Sequence, residues 1–320
     1  MKDLFLVTTG LKDTWPKNGN SILFLGEWCR LYTQKCIWEN IDAKIVPYHW
    51  DDRKKLKKDY HYLIELFERV LNELSQELNR IHNVSYSLRY WRIVIGPWLI
   101  SFLTVIFDRW SCLQIAVENY PIKNTIIQEE VDLNFVPQCM EHYCEMVTTD
   151  PWNHAIYSLI LKQFKFKKTS TLKTSLNISR WNSNISKHKK NFIYKIKNLI
   201  MKASLLFSRN DNYFFISTYL SKTNFIKLNI KLGQVPVFYV NDFQIKSKPN
   251  KKNRSNFLLE FKSHCQFEEF LKKVIPLQIP LAYLEDYNSF SNQTKNIGWP
   301  KEPKIIWTSN SFHSDELFKI

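Results

Sequence analysis

Glycine is scarce, with 6 residues in a chain of 320. So few leave little material for a phosphate-cradling loop, and neither a G-x-G-x-x-G fingerprint nor a P-loop is present. The G-x-S-x-G turn that presents a nucleophilic serine is missing, as is an Asp-x-Asp pair to hold a metal-bound nucleotide. The 6 cysteines have no paired spacing. Cys139 and Cys144, with His142 between them, form CMEHYC, but the second half of a zinc-finger pattern is not there. Free thiols in a reducing compartment are therefore expected, with no metal and no disulfide. The opening MKDLFLVTTG has too short an apolar run for a signal peptide and no small-residue cleavage site. The most apolar stretch, residues 93–107, falls short of the ~20 residues a membrane-crossing helix needs. A cytoplasmic chain follows, in contact at most with the inner-membrane surface. There is no internal repeat.

What is present is ample core. Hydrophobic residues make up 44% and aromatics 15%, and the length suits two domains. The formal charge is +15, which suggests anionic partners such as nucleotide or lipid phosphates. Much of it lies in the Lys/Asn-rich stretches 162–202 and 246–254, which equally fit a solvated surface. No nucleic-acid-binding motif accompanies the charge, so nucleic acid is not an expected partner.

The chain is organised around residues 86–110, YSLRYWRIVIGPWLISFLTVIFDRW. This reads as a core helix over 97–119, starting or kinking at Pro97 because proline lacks a donor and clashes one turn back. Residues 4–9 and 43–48 read as buried strands, with the apolar run 21–25 between them. Leu56, Tyr60, Leu63, Phe67, Val70, Leu74, Leu78 and Ile81 recur every three or four residues and mark a helix of about 30 residues. Asp51 or Asp52 caps it. Asp150-Pro151 opens another helix, to residue 161. Residues 162–190 read as a surface insertion in which Phe164, Phe166 and Trp181 could meet RNA or lipid headgroups. Further on, strand 213–218, helix 222–232 stopped by Gly233, and strand 235–240 suggest a parallel strand-helix-strand unit. A basic loop (246–256), a helix (267–274), a strand (305–307) and a last helix (315–319), capped from 308–311, complete the chain. The expected class is α/β with a parallel sheet. The expected division is an N-terminal α/β segment (1–161), a basic linker (162–202), a second α/β segment (203–300) and the start of a truncated domain (301–320).

Three apolar segments end in clusters of Gly, Trp, His and charged residues, and parallel strands deliver such ends to a shared crevice. Glu27, His49 and Asp51 are the candidate bases on a hydroxyl. Arg53, Arg92 and Arg109 are candidate phosphate holders. Trp28, Trp50 and Tyr90 offer flat faces to a sugar. Thr9 and Gly10 at the first strand end, Asp52, Asp108, and Asn310 and Ser311 in the late polar turn complete the substrate-binding candidates. Each has a plainer reading: Asp51 and Asp52 as helix caps, Trp91, Trp98 and Trp110 as core, Arg92 and Asp108 as members of a structural ion pair.

The segments LVTTGLKDTWP, FLGEWCRLY, PYHWDDRKKL, SLRYWRIVIGPWL with FDRW, and WTSNSFHSDELFK resemble a family of transferases found in bacterial lipopolysaccharide and O-antigen gene clusters. The resemblance spans nearly the whole chain. It implies a GT-B-like architecture of Rossmann-type domains and transfer of a sugar or related group from a nucleotide-activated donor to a glycan or lipid-linked acceptor. It implies no cofactor beyond that donor. Family members are longer, with a second domain carrying a Gln-His-Gly motif. The chain therefore resembles their N-terminal, acceptor-side part, and a separate chain carrying the other domain is an expected partner. The alternative is a catalytically inactive module that binds acceptor or a membrane surface.

Overall fold

The structure is a computed structural model that describes residues 3–17, 21–129, 133–166, 169–172, 199, 203–239 and 245–320. It divides into two compact units. The first comprises Met1–Pro137, His142–Asn177 and Pro249–Ile279, the second Gln138–Glu141, Ile178–Lys248 and Pro280–Ile320.

In the first unit, β1 (Leu4–Val7), β2 (Ser21–Phe24), β3 (Ala43–Ile45), β4 (Ile122–Gln128) and β5 (Thr169–Leu172) form one sheet in the order β3-β2-β1-β4-β5. Every pairing is parallel. β1 and β2 are buried at every position, which explains their unbroken apolar sequence: a strand covered on both faces has no reason to alternate. The order 3-2-1-4-5 is that of an open doubly wound sheet, whose direction of growth reverses between β1 and β4. β4 lies inside the sheet between β1 and β5 and is not evident in the sequence, because Lys123 and Asn124 interrupt its apolar residues. β5 lies inside the stretch expected to be an insertion. Trp181 lies outside the described residues.

The long amphipathic helix is α1 (Arg53–His82). Asp52, not Asp51, caps it, its carboxylate accepting from the Lys54 and Lys55 N–H groups. The buried stripe runs through Leu63, Leu66, Val70, Leu71, Leu74 and Leu78, while Tyr60 is exposed. The second helix, α2, spans Leu88–Asn119 and does not wait for Pro97 to begin. The Ser87 hydroxyl caps it by accepting from Tyr90. Helix α2 packs against α1, and Val94, Ile95, Trp98, Leu99 and Phe102 are fully buried. Burial on both sides of Pro97 outweighs the roughly 3 kcal/mol that an internal proline costs. By length and composition α2 could cross a membrane, yet half of its most apolar window is buried inside the fold.

Thr149 precedes α3 (Asp150–Gln163), so Asp150 and Pro151 occupy its first turn. This helix packs on β4 and α2. The chain returns to this unit with a short helix at Lys251–Ser255, where a loop was expected, and α4 (Gln266–Gln278). Phe267 and Phe270 of α4 pack against Trp110 of α2. Phe164, which was expected to meet RNA or lipid, packs there too.

In the second unit, β6 (Phe214–Ile216) pairs in parallel with β7 (Ile306–Thr308), some ninety positions away. Residues 235–239 form no strand, and Val240 lies outside the described residues. The helix Lys222–Lys231 forms as expected, and Gly233 follows it in the left-handed region at φ 70°. Phe214 gathers Tyr239, Trp299 and Phe318 around it. At the end of the unit a helix at Ser311–Ser314 precedes Glu316–Lys319, and Asp315 caps the latter. Inside, Glu316 accepts from the Met140 N–H and the Tyr283 hydroxyl and pairs with Lys319 at 2.7 Å.

Candidate functional site

Because β1, β2 and β3 are neighbours and parallel, the three clusters that follow them lie along one edge of the sheet. Backbone bonds tie these tips together: Leu25 donates to the Val7 carbonyl and Val46 to that of Phe24. The Trp28 indole donates to the Thr8 carbonyl at 3.1 Å. Its ring occupies the space above Gly26, where a Cβ would lie 2.2 Å from it. Only glycine admits the indole there.

These tips and the end of the FDRW segment enclose a cleft of about 570 Å³. Gly26, Glu27, Trp28, Tyr48, Asp51, Asp108 and Arg109 line it. Asp108 is the hub. It is buried, its Oδ1 lies 3.0 Å from His49 Nε2, and its Oδ2 accepts from Arg109. Tyr48 also donates to it. Burial pushes the Asp108 carboxyl up, but the bonds from His49, Tyr48 and Arg109, with the Arg109 charge, outweigh it and hold the acid below its usual range. Arg109 uses Nε to grip Asn153 Oδ1 at 2.9 Å, and its Nη2 makes no hydrogen bond among the described residues. Asp51 is exposed in the cleft and its carboxylate has no partner among the described residues.

The other candidates divide into those drawn to this edge and those placed elsewhere. Glu27 lines the cleft, exposed and paired with Arg30 at 2.6 Å. The His49 ring is fully enclosed, its Nδ1 has no partner among the described residues, and it does not line the cleft. It is placed to support Asp108 rather than to touch a ligand. Trp50 donates to Asp59 and stacks on Phe107. Asp52 is a cap and Arg53 is exposed on the first turn of α1. Thr9 is fully buried and its carbonyl holds the Trp15 indole. Gly10 donates to Asp150 Oδ1 at 3.3 Å. Arg92 and Tyr90 are remote from the cleft. Sixteen residues separate Arg92 from Asp108 on one helix, about 24 Å along its axis. There Arg92 forms a two-pronged pair with Glu68 at 2.6 Å, and Tyr90 stacks on Tyr86. Asn310 and Ser311 belong to the second unit and line a cavity there.

A family model matches residues 4–320, and its description is LIC12162 family transferase. The chain belongs to the LIC12162 family of transferases. No curated protein and no solved structure matches it.

In this LIC12162-family transferase, sequence reasoning passed over several residues of the cleft and its surroundings. Tyr48 was hidden inside the PYHW cluster. Asp59, which takes Lys55 and Trp50, was signalled only by the four-residue spacing from Lys55 on a helix. Asp150 was read as a cap alone, yet burial pushes its carboxyl up against the opposing pull of the Gly10 N–H. Cys112 lies one turn beyond Asp108. His49 Nε2, Asp108 Oδ1 and Cys112 Sγ all lie within 4.8 Å of one another, a possible cation ligand set. The chemistry of the set fits a metal poorly. Burial and the Asp108 charge push the Cys112 thiol up, away from the thiolate a metal needs, and the Arg109 guanidinium already neutralises the carboxylate.

Proposed function

We propose that the chain is a transferase of the GT-B-like kind that moves a sugar or related group from a nucleotide-activated donor to a cell-surface glycan acceptor. The observation that carries this reading is the pairing within one cleft of an uncommitted carboxylate, Asp51, and a guanidinium with a free edge, Arg109. Asp51 takes the proton of the acceptor hydroxyl as that oxygen attacks the donor carbon. Arg109 holds the departing phosphate by charge and hydrogen bond. Asp108 positions Arg109, and His49 and Tyr48 keep Asp108 ionised. Trp28 and Tyr48 bring apolar faces to a sugar ring. Glu27 serves at the mouth of the cleft, where its carboxylate is already engaged by Arg30. The sheet order of the first unit supports a Rossmann-type framework with its ligand at the carboxyl edge. We place the protein in the cytoplasm, at the inner-membrane surface, where activated donors and lipid-linked acceptors meet.

The test is calorimetric titration of the purified chain with a panel of sugar nucleotides, together with an assay of donor hydrolysis and transfer. Arg109→Gln weakens nucleotide binding by about tenfold or more, the worth of a charge-assisted hydrogen bond. Asp51→Asn leaves binding in place and lowers turnover by roughly 10²–10⁴-fold, the range of a general base. If the wild-type chain binds no sugar nucleotide, or neither substitution alters binding or turnover, the reading fails.

A further inference from the structure

The cavity of the second unit has a chemistry distinct from that of the cleft. It measures about 370 Å³, near the lower end of the roughly 300–1,000 Å³ of small-molecule sites, which leaves room for a single ring-sized group. The carboxyl ends of β6 and β7 deliver Ser217, Asn310 and Ser311 to it, as parallel strands do at ligand crevices. Ser311 is 2% exposed, yet among the described residues its Oγ has no hydrogen-bond partner. A buried hydroxyl without a partner is costly, and one that lines a cavity can receive its partner from whatever enters. Asn310 Nδ2 donates to the Tyr219 hydroxyl at 3.1 Å, which fixes the amide while its Oδ1 has no partner among the described residues. Phe290 supplies an apolar wall and Glu141, Asp315 and Glu316 line the cavity too, Glu316 being paired with Lys319 and Asp315 spent as a helix cap.

No lysine or arginine lines this cavity, although the chain carries a formal charge of +15. A phosphate would enter without a counter-charge. A cation site is not favoured either, because among the described residues the only converging set of three metal-ligating groups is the one around Asp108.

We propose that this cavity binds one uncharged sugar residue, with Ser311 Oγ and Asn310 Oδ1 hydrogen-bonding to its hydroxyls and Phe290 against its apolar face. The site rests on the transferase reading only where the sugar is called the acceptor; the binding itself stands apart from it.

The experiment is saturation-transfer NMR on the full chain with methyl glycosides of hexoses and N-acetylhexosamines, with inorganic phosphate as competitor. At least one glycoside receives saturation from the protein. Its affinity falls about five- to tenfold in Ser311→Ala and in Asn310→Ala, the worth of one hydrogen bond. Arg109→Gln leaves it unchanged. Asn310 is exposed, so its variant keeps the fold even if the buried Ser311→Ala does not. The proposal is overturned if no glycoside binds, if binding survives both substitutions, or if phosphate displaces the glycoside. Loss of nucleotide binding with glycoside binding intact would sink the transferase mechanism and leave this site standing.

Discussion

At the scale of single residues, His154 makes the first unit acid-sensitive. It is 1% exposed, its Nδ1 lies 3.4 Å from the Thr8 hydroxyl, and its Nε2 has no partner among the described residues. Burial lowers its pKa to about 4. A depressed histidine is neutral in the fold, while the unfolded chain takes up its proton near pH 6.5. Stability is therefore lost as the pH falls from about 6.5 toward 4, in all by about 3 kcal/mol. Between pH 7 and 5 this one group removes about 2 kcal/mol. His154→Gln loses correspondingly less than wild type over that interval, measured by urea denaturation at the two pH values; an equal loss in both proteins would exonerate the histidine. Neither this role nor that of Asp108 is legible in the sequence, because each is defined by neighbours brought from distant elements. What could be read was that Asp108 and Arg109 close an apolar run and that Asp51 follows another. Arg92 looked equivalent, but the unbroken helix carries it about 24 Å from Asp108, where it pairs with Glu68 of α1.

At the scale of elements, the Gly96-Pro97 pair shows where local and tertiary terms compete. Taken locally, it should break or begin a helix, but α2 runs through it because the side chains on either side are buried against α1. Gly96 then has no conformational duty. A Cβ there would lie 3.7 Å from Arg92 Cγ and 3.7 Å from Phe67 Cζ, ordinary contact distances. Gly96→Ala should therefore stabilise the protein by about 0.5–1 kcal/mol, by removing backbone freedom from the unfolded chain. Chemical denaturation reads the gain; a loss instead would mean that the close passage of α1 and α2 requires the glycine. Helix α1 was readable end to end because a three-and-four repeat survives 30 residues and an Asp stands before it. Strand β4 was not, since its polar positions mask a strand whose role is set by β1 and β5. The pairing of β6 with β7 is equally non-local, and the expected partner at 235–240 was merely the nearest apolar run.

At the scale of the whole molecule, the first unit is discontinuous: residues 249–279 return to it after the chain has entered the second. An amphipathic helix near 267–274 could be read from the sequence, but not which core it would cover. Helix α4 buries Phe267, Phe270, Leu271, Val274 and Ile275. At about 1.5–3 kcal/mol each, these side chains contribute roughly 10 kcal/mol before chain entropy is charged, comparable to the net stability of an ordinary domain. Polar locks add specificity. Arg69 of α1 grips the fully buried Glu268 at 2.7 Å, and Tyr62 donates to the same carboxylate. Arg254 is buried and donates to the carbonyls of Pro276 and Ile279. A chain ending at Lys248 therefore retains every strand of the first sheet yet exposes Phe107 and Trp110 on α2, which Phe267 covers. Such a fragment should show no cooperative urea transition by tryptophan fluorescence and should bind hydrophobic dye, whereas the whole chain unfolds cooperatively. Adding residues 249–279 as a separate peptide should recover part of the transition, because the missing contacts lie in that segment. A fragment that unfolds as sharply as the full chain would show that the parallel sheet and α1–α3 are sufficient, and that the returning helix is an ornament on a core already complete.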